Sequence, residues 1–137
     1  MIRLVLDGAL TVNWCFDGGE NYPQAVLATL AEGEALVPPD WPLEVASLLK
    51  RAVVRALLTQ EDAQTFLGLL EGLPIRARAV PLSSTEAFEL LTGQGLSRHQ
   101  AACLHLAHHG GLILATLDPR LRRAAGQLGV ALFEPPA

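Results

Sequence analysis

No stretch of this sequence approaches the roughly 18 uninterrupted apolar residues that a membrane-spanning helix requires. Arg, Glu, Gln or Pro breaks every apolar run within a few positions, so no membrane span is expected. The opening Met1-Ile2-Arg3-Leu4-Val5-Leu6-Asp7 has neither a basic leader nor a small-residue cleavage site, which makes a cytoplasmic location the expectation. Cysteine is scarce: Cys15 and Cys103 are the only two, in no pattern of a zinc knuckle or redox pair, and buried reduced thiols are expected. Charge is scarce as well, at 18% of residues with a net charge of -4. The chain as a whole does not attract nucleic acid, and any such binding must come from local arginines and a bound cation. Repeats, linkers and low-complexity segments are missing. What remains is a Leu- and Ala-rich chain, 50% hydrophobic, whose 137 residues suit a single domain spanning 1-137 with its own core.

Residues 2-6 form an apolar run without polar alternation, as expected for a strand covered on both faces. Pro23 opens a helix to about Ala31, and Ala35-Leu36-Val37 is a short strand closed by Pro38-Pro39. Asp40 is the expected cap of the longest amphipathic segment, Trp41 to Leu58, whose Val45, Leu48, Leu49, Ala52 and Ala56 share one face. A helix over Gln60 to Glu71 and a strand over Ile75 to Val80 follow. Ser83 with Glu86 has the spacing of a capping box and starts a helix that stops near Gly93 and Gly95. Ser97 with Gln100 repeats it and starts a helix that ends at Gly110-Gly111. Leu112 to Ala115 is a buried strand, Asp118-Pro119 opens a last helix through about Gln127, and Val130 to Phe133 is a candidate edge strand. Strands separated by helices give an α/β fold, with a mainly parallel sheet between two helical layers.

In such a sheet, sites form where the carboxyl ends of strands meet the loops. Asp7 ends the first strand and Asp118 follows the strand at 112-115, so both carboxylates face the same edge. Each also has a local reading, Asp7 as the cap of a helical turn and Asp118 as an N-cap before Pro119. Glu44 lies beside Leu48 at the border of the buried stripe, in the first turn of its helix. Arg51 and Arg55, near the same azimuth, are either solvated surface residues or phosphate contacts. Gln100 shares a face with Cys103, Leu104 and Ala107, and is read both as an inward-pointing group and as half of a capping box. His99, His105, His108 and His109 are read as surface residues, since the i, i+4 pair His105 and His109 lacks a glutamate or cysteine to complete a zinc set. Arg120, Arg122 and Arg123 are either a solvated basic face or a grip on phosphates.

Four segments taken together resemble the PIN-domain family, and the VapC-like ribonuclease toxins most closely. Leu4-Val5-Leu6-Asp7-Gly8-Ala9-Leu10 is similar to the family's first strand and leading aspartate, with Trp14 where an aromatic commonly follows. Val37 to Ala46 is similar to the segment that carries its helical glutamate, here Glu44. Leu96 to Leu104 resembles the third motif and Leu114 to Leu121 the fourth. The series covers nearly the whole chain. Two departures stand out: Gln100 replaces a usual aspartate, and Ala9 a small polar residue.

The resemblance implies a PIN-like three-layer α/β/α domain with a central, mainly parallel sheet of four to five strands. It further implies an endoribonuclease dependent on Mg2+ or Mn2+, the toxin half of a VapBC-type toxin-antitoxin pair, with RNA as substrate, a VapB-like antitoxin as partner and a homodimeric assembly. Asp7, Glu44 and Asp118 would be the catalytic metal ligands. Gln100 and Thr116 would be weak ligands or supporting groups, and Arg51, Arg55 and Arg120 would contact RNA. Carboxylates about 5 Å apart repel by roughly 3 kcal/mol at an effective dielectric of 20, so such a cluster needs a cation or a proton. The alternative is a catalytically degenerate PIN domain, with Gln100 in place of the aspartate, that binds RNA or protein without cutting. Asp7 to Thr11 loosely resembles the first motif of aspartate-nucleophile phosphatases, but Ala9 stands where that chemistry needs a second aspartate.

Overall fold

The structure, a computed structural model, describes residues 1-16 and 21-136. Four strands, β1 (Arg3–Leu6), β2 (Glu34–Val37), β3 (Ile75–Ala77) and β4 (Ile113–Ala115), form one sheet in the order β3-β2-β1-β4. Every neighbouring pair is parallel. The central strands β1 and β2 are apolar on both faces because helices cover both. Leu4, Leu6, Ala35 and Val37 pack with Leu10, Val26, Val45 and Leu49 of α1 (Gly8–Asn13), α2 (Asn21–Thr29) and α3 (Trp41–Val54). Val5, Leu36 and Leu114 face the other way, onto Leu104, Leu106, Leu121 and Ala125 of α6 (Arg98–Gly110) and α7 (Pro119–Leu128). The two-residue period of a strand thus divides one sheet between two cores. α4 (Gln60–Leu70) and α5 (Ser84–Gly93) complete the two layers.

Local chemistry starts and stops most helices. Ser83 and Ser97 each accept from the backbone of Glu86 and Gln100, whose side chains reach back to close both capping boxes. Gly111 and Gly129 adopt left-handed conformations after α6 and α7.

Apart from shifts of one or two residues, three segments differ from the sequence expectation. α3 ends at Val54 and not at Leu58, because Ala56 turns left-handed at φ 59° while Leu57 N–H bonds to the Ala52 carbonyl. That is a Schellman-type ending without its usual glycine, so composition gives no stop signal. β3 closes at Ala77, although Arg78 N–H still reaches the Val37 carbonyl. The segment expected as an edge strand over 130-133 makes only the isolated bridge Leu114 to Leu132; Pro135 and Pro136, just beyond, cannot extend a ladder.

Candidate active site

At the carboxyl edge of β1, Asp7 is 3% exposed. Its Oδ1 accepts from Leu10 N–H at 2.8 Å, capping α1, and its Oδ2 accepts from the Thr116 hydroxyl. Thr116 stands one residue past β4, fully buried, and its Oγ1 accepts from Asp118 N–H at 3.1 Å. Asp118 Oδ1 in turn caps α7 through the N–H groups of Arg120 and Leu121. One chain of hydrogen bonds therefore links the Asp7 carboxylate at the end of β1 to the backbone N–H of Asp118, beyond β4. Burial pushes the Asp7 carboxyl above its ordinary range and the Asp118 charge adds to this, while the hydrogen bonds from Thr116 and Leu10 oppose it.

Glu44, half-buried in the first turn of α3, leans on the start of α1. A β-carbon on Gly8 would lie 2.8 Å from Glu44 Cγ, so only glycine there lets the glutamate approach. Gln100 takes a different place. Its Oε1 accepts from Ser97 N–H at 3.0 Å on the partly exposed start of α6, so its carbonyl serves the capping box.

His99 corrects the reading of the histidines as surface residues: it is 4% exposed. It sits one turn before the fully buried Cys103 on the inner stripe of α6, a spacing visible in the sequence. Its Nε2 accepts from Gly8 N–H at 3.0 Å, which assigns the proton to Nδ1, and Nδ1 donates to Asp40 Oδ2 at 3.1 Å. Asp40 makes no side-chain cap on α3, and its Oδ1 is buried without a hydrogen-bond partner among the described residues. Sequence reasoning missed both residues as site members because their contacts reach across 91 and 59 positions. Cys103 Sγ lies 3.4 Å from His99 Nε2, so cysteine, histidine and aspartate line up as in a thiol triad. Burial holds that thiol well above its ordinary pKa, and the Nε2 lone pair already receives Gly8 N–H, so no nucleophile results.

The arginines divide. Arg51 and Arg55 are exposed and line one groove with Ala9 and Leu48. Arg120 is exposed near the Gly95 carbonyl. Arg122 is structural: its guanidinium donates to the Thr116 carbonyl at 2.7 Å and lies 5.5 Å from the centre of the Tyr22 ring.

Among the described residues no three His, Cys, Asp or Glu side chains are grouped so as to hold a metal ion. Mg2+ asks for less, since it keeps several waters and is commonly held by one or two carboxylates. Asp7 and Asp118 would be the candidate pair, since the Asp118 charge acts on Asp7 and hydrogen bonds among the described residues engage only Oδ1 of Asp118. The all-oxygen donor set fits a hard divalent cation.

No protein family matches the sequence, and no curated protein does. Solved structures do match in fold. FitAcB from Neisseria gonorrhoeae superposes with a TM-score of 0.60 at 19% identity, over 96% of this chain and 97% of that one. VapBC2 from Rickettsia felis, bound to a DNA fragment from their promoter, gives 0.57 at 16% identity over 98% of each. A PilT N-terminus domain protein of the archaeon Sulfolobus solfataricus P2 gives 0.50 at 11% identity, over 96% of this chain and 86% of that one. With its parallel sheet ending in Asp7 and the Thr116-Asp118 loop, the chain has the PilT N-terminus, or PIN, domain fold.

Proposed function

We propose that the protein is a Mg2+- or Mn2+-dependent endoribonuclease, acting in the cytoplasm as the toxin of a toxin-antitoxin pair. The observation that supports this reading is the hydrogen-bond chain from the Asp7 carboxylate through the Thr116 hydroxyl to the Asp118 N–H, which ties together the two loops that follow β1 and β4. Asp7 and Asp118 would hold the cation, with Glu44 completing its surroundings from α3. When bound, such a cation stabilises charge developing on a phosphodiester and acidifies a water for in-line attack. The chain's own contribution is positional. Thr116 and Leu10 fix both oxygens of Asp7, and His99 pins Gly8, the residue on which Glu44 rests. Arg51, Arg55 and Arg120 would receive RNA phosphates around this edge, supplying the local positive charge that a chain of net charge -4 needs.

The partner and the homodimeric assembly are inferred from the shared fold, an argument by analogy. VapBC2 is a two-component assembly captured on its promoter DNA, and a DNA-binding antitoxin is the corresponding partner here.

The test is cleavage of structured RNA with Mn2+ or Mg2+ by the parent and by Asp7→Asn. A loss of at least about a hundredfold, roughly 3 kcal/mol of transition-state stabilisation, is expected from the variant. Equal cleavage by both would sink the assignment. A second reading, a degenerate domain that binds RNA or protein without cutting, is favoured by Gln100, whose side chain closes a capping box and adds no charge. Cation binding and cleavage that appear only in Gln100→Asp would establish it in place of the first.

A further inference from the structure

We propose that the open edge of β3 is a docking site for an extended strand of a partner protein with alternating apolar and acidic side chains. The proposal is independent of the nuclease reading. β3 ends the sheet, and its bonds to β2 include those of the Pro74 carbonyl and the Arg78 N–H. Successive residues of a strand alternate in direction, so Ala77 aims its N–H and carbonyl at the open side. Unpaired edges of this kind accept added strands.

Two further features say what the strand must carry. On one face of the edge, a trough of about 460 Å³ between β3, α3 and α4 is lined by Trp41, Leu67, Leu70, Leu73, Ile75 and Ala77, with Glu71 its one carboxylate. Trp41, in the wall of that trough, is 8% exposed, and its indole N–H is a buried donor without a hydrogen-bond partner among the described residues. Apolar side chains of an incoming strand, two residues apart, would fill it. The basic side chains of this edge are Arg76 and Arg78. Arg76 shares the single carboxylate of Glu34 with Arg3, and Arg78 has no carboxylate partner among the described residues. The local excess is positive, so the intervening residues of the incoming strand are acidic.

The same charges argue against a second copy of this chain as occupant. Pairing two β3 edges would bring Arg76 and Arg78 of each copy against those of the other. Pro74 and Pro81 bracket the edge, which limits the addition to a short strand.

Fluorescence anisotropy with two labelled heptapeptides tests this on the full chain, one alternating valine with glutamate and its twin alternating valine with lysine. The glutamate peptide is expected to bind at least tenfold more tightly than the twin. Ala77→Pro, which removes an outward N–H and no sheet bond, should weaken it at least tenfold. Arg78→Glu should reverse the preference, and keeps the test decisive if the proline variant fails to fold. Equal binding of both peptides, no binding of either, or no effect of Arg78→Glu overturns the proposal. So does self-association of the parent, by sedimentation, that Ala77→Pro abolishes, because a second copy would then occupy the edge.

Discussion

The two flanks of the candidate site are built differently. On the β1 and β4 flank, Asp7, Thr116 and Asp118 are tied to one another and to two helix starts by consecutive hydrogen bonds. On the α3 and α6 flank, Glu44 is placed by packing against Gly8, and Gln100 is turned to its own helix cap. Between them stands His99, with one nitrogen on Gly8 and the other on Asp40. The contrast shows where rigidity resides. A carboxylate buried at a strand end must be satisfied by the fold, whereas a residue in a helix's first turn can reach solvent or a cap. On the proposed reading the first flank would set the position of a cation, and the second would adjust how strongly it is held.

Removing the link between the Asp7 carboxylate and the Asp118 backbone should have the largest effect on folding. Thr116→Val leaves Asp7 Oδ2 and Asp118 N–H without their shared partner and should cost about 1–3 kcal/mol, read from urea denaturation. The corresponding change on the other flank, Gln100→Ala, removes one half of an exposed capping box and should cost no more than about 1 kcal/mol. Equal costs would erase the distinction between the flanks.

Away from the site, Glu34 is held below the usual carboxylate range, first by its hydrogen bond from Arg76 and then by the charges of Arg76 and Arg3 against a desolvation that opposes them. A depressed folded value contributes stability above the unfolded value near 4.5, and that contribution is lost as pH falls through the folded value. The melting temperature of the parent should therefore drop faster than that of Arg76→Ala on acidification below 4.5. Parallel curves would refute the pairing.

The smallest effect is expected at the end of α3. Ala56 holds a left-handed conformation that disfavours any β-carbon. Ala56→Gly should raise stability by about 0.5–1 kcal/mol, offset in part by the greater freedom of glycine in the unfolded chain. A fall in stability would contradict that ending.

Much of this arrangement is legible in the chain because it is local. Leu4-Val5-Leu6 ending at Asp7, the serine boxes at Ser83 and Ser97, and Asp118 before Pro119 all depend on residues within a few positions. What escapes is tertiary. Nothing near His99 announces that Gly8 N–H will meet its ring, and Asp40 looks like a helix cap until its carboxylate turns to that imidazole. The wheel position of His99, one turn from Cys103, is the one signal that places it inside. Ala56 gives no signal, since its left-handed turn comes from how Leu57 closes the helix and not from its own preference.

The most direct measurement is Mn2+ binding by calorimetry to the parent, Asp7→Asn, Asp118→Asn and Glu44→Gln. If the two strand-end carboxylates set the cation's position, either aspartate variant abolishes binding and Glu44→Gln weakens it about tenfold, roughly 1.4 kcal/mol. Parent-like affinity in Asp7→Asn, or no Mn2+ binding by the parent, would contradict the account.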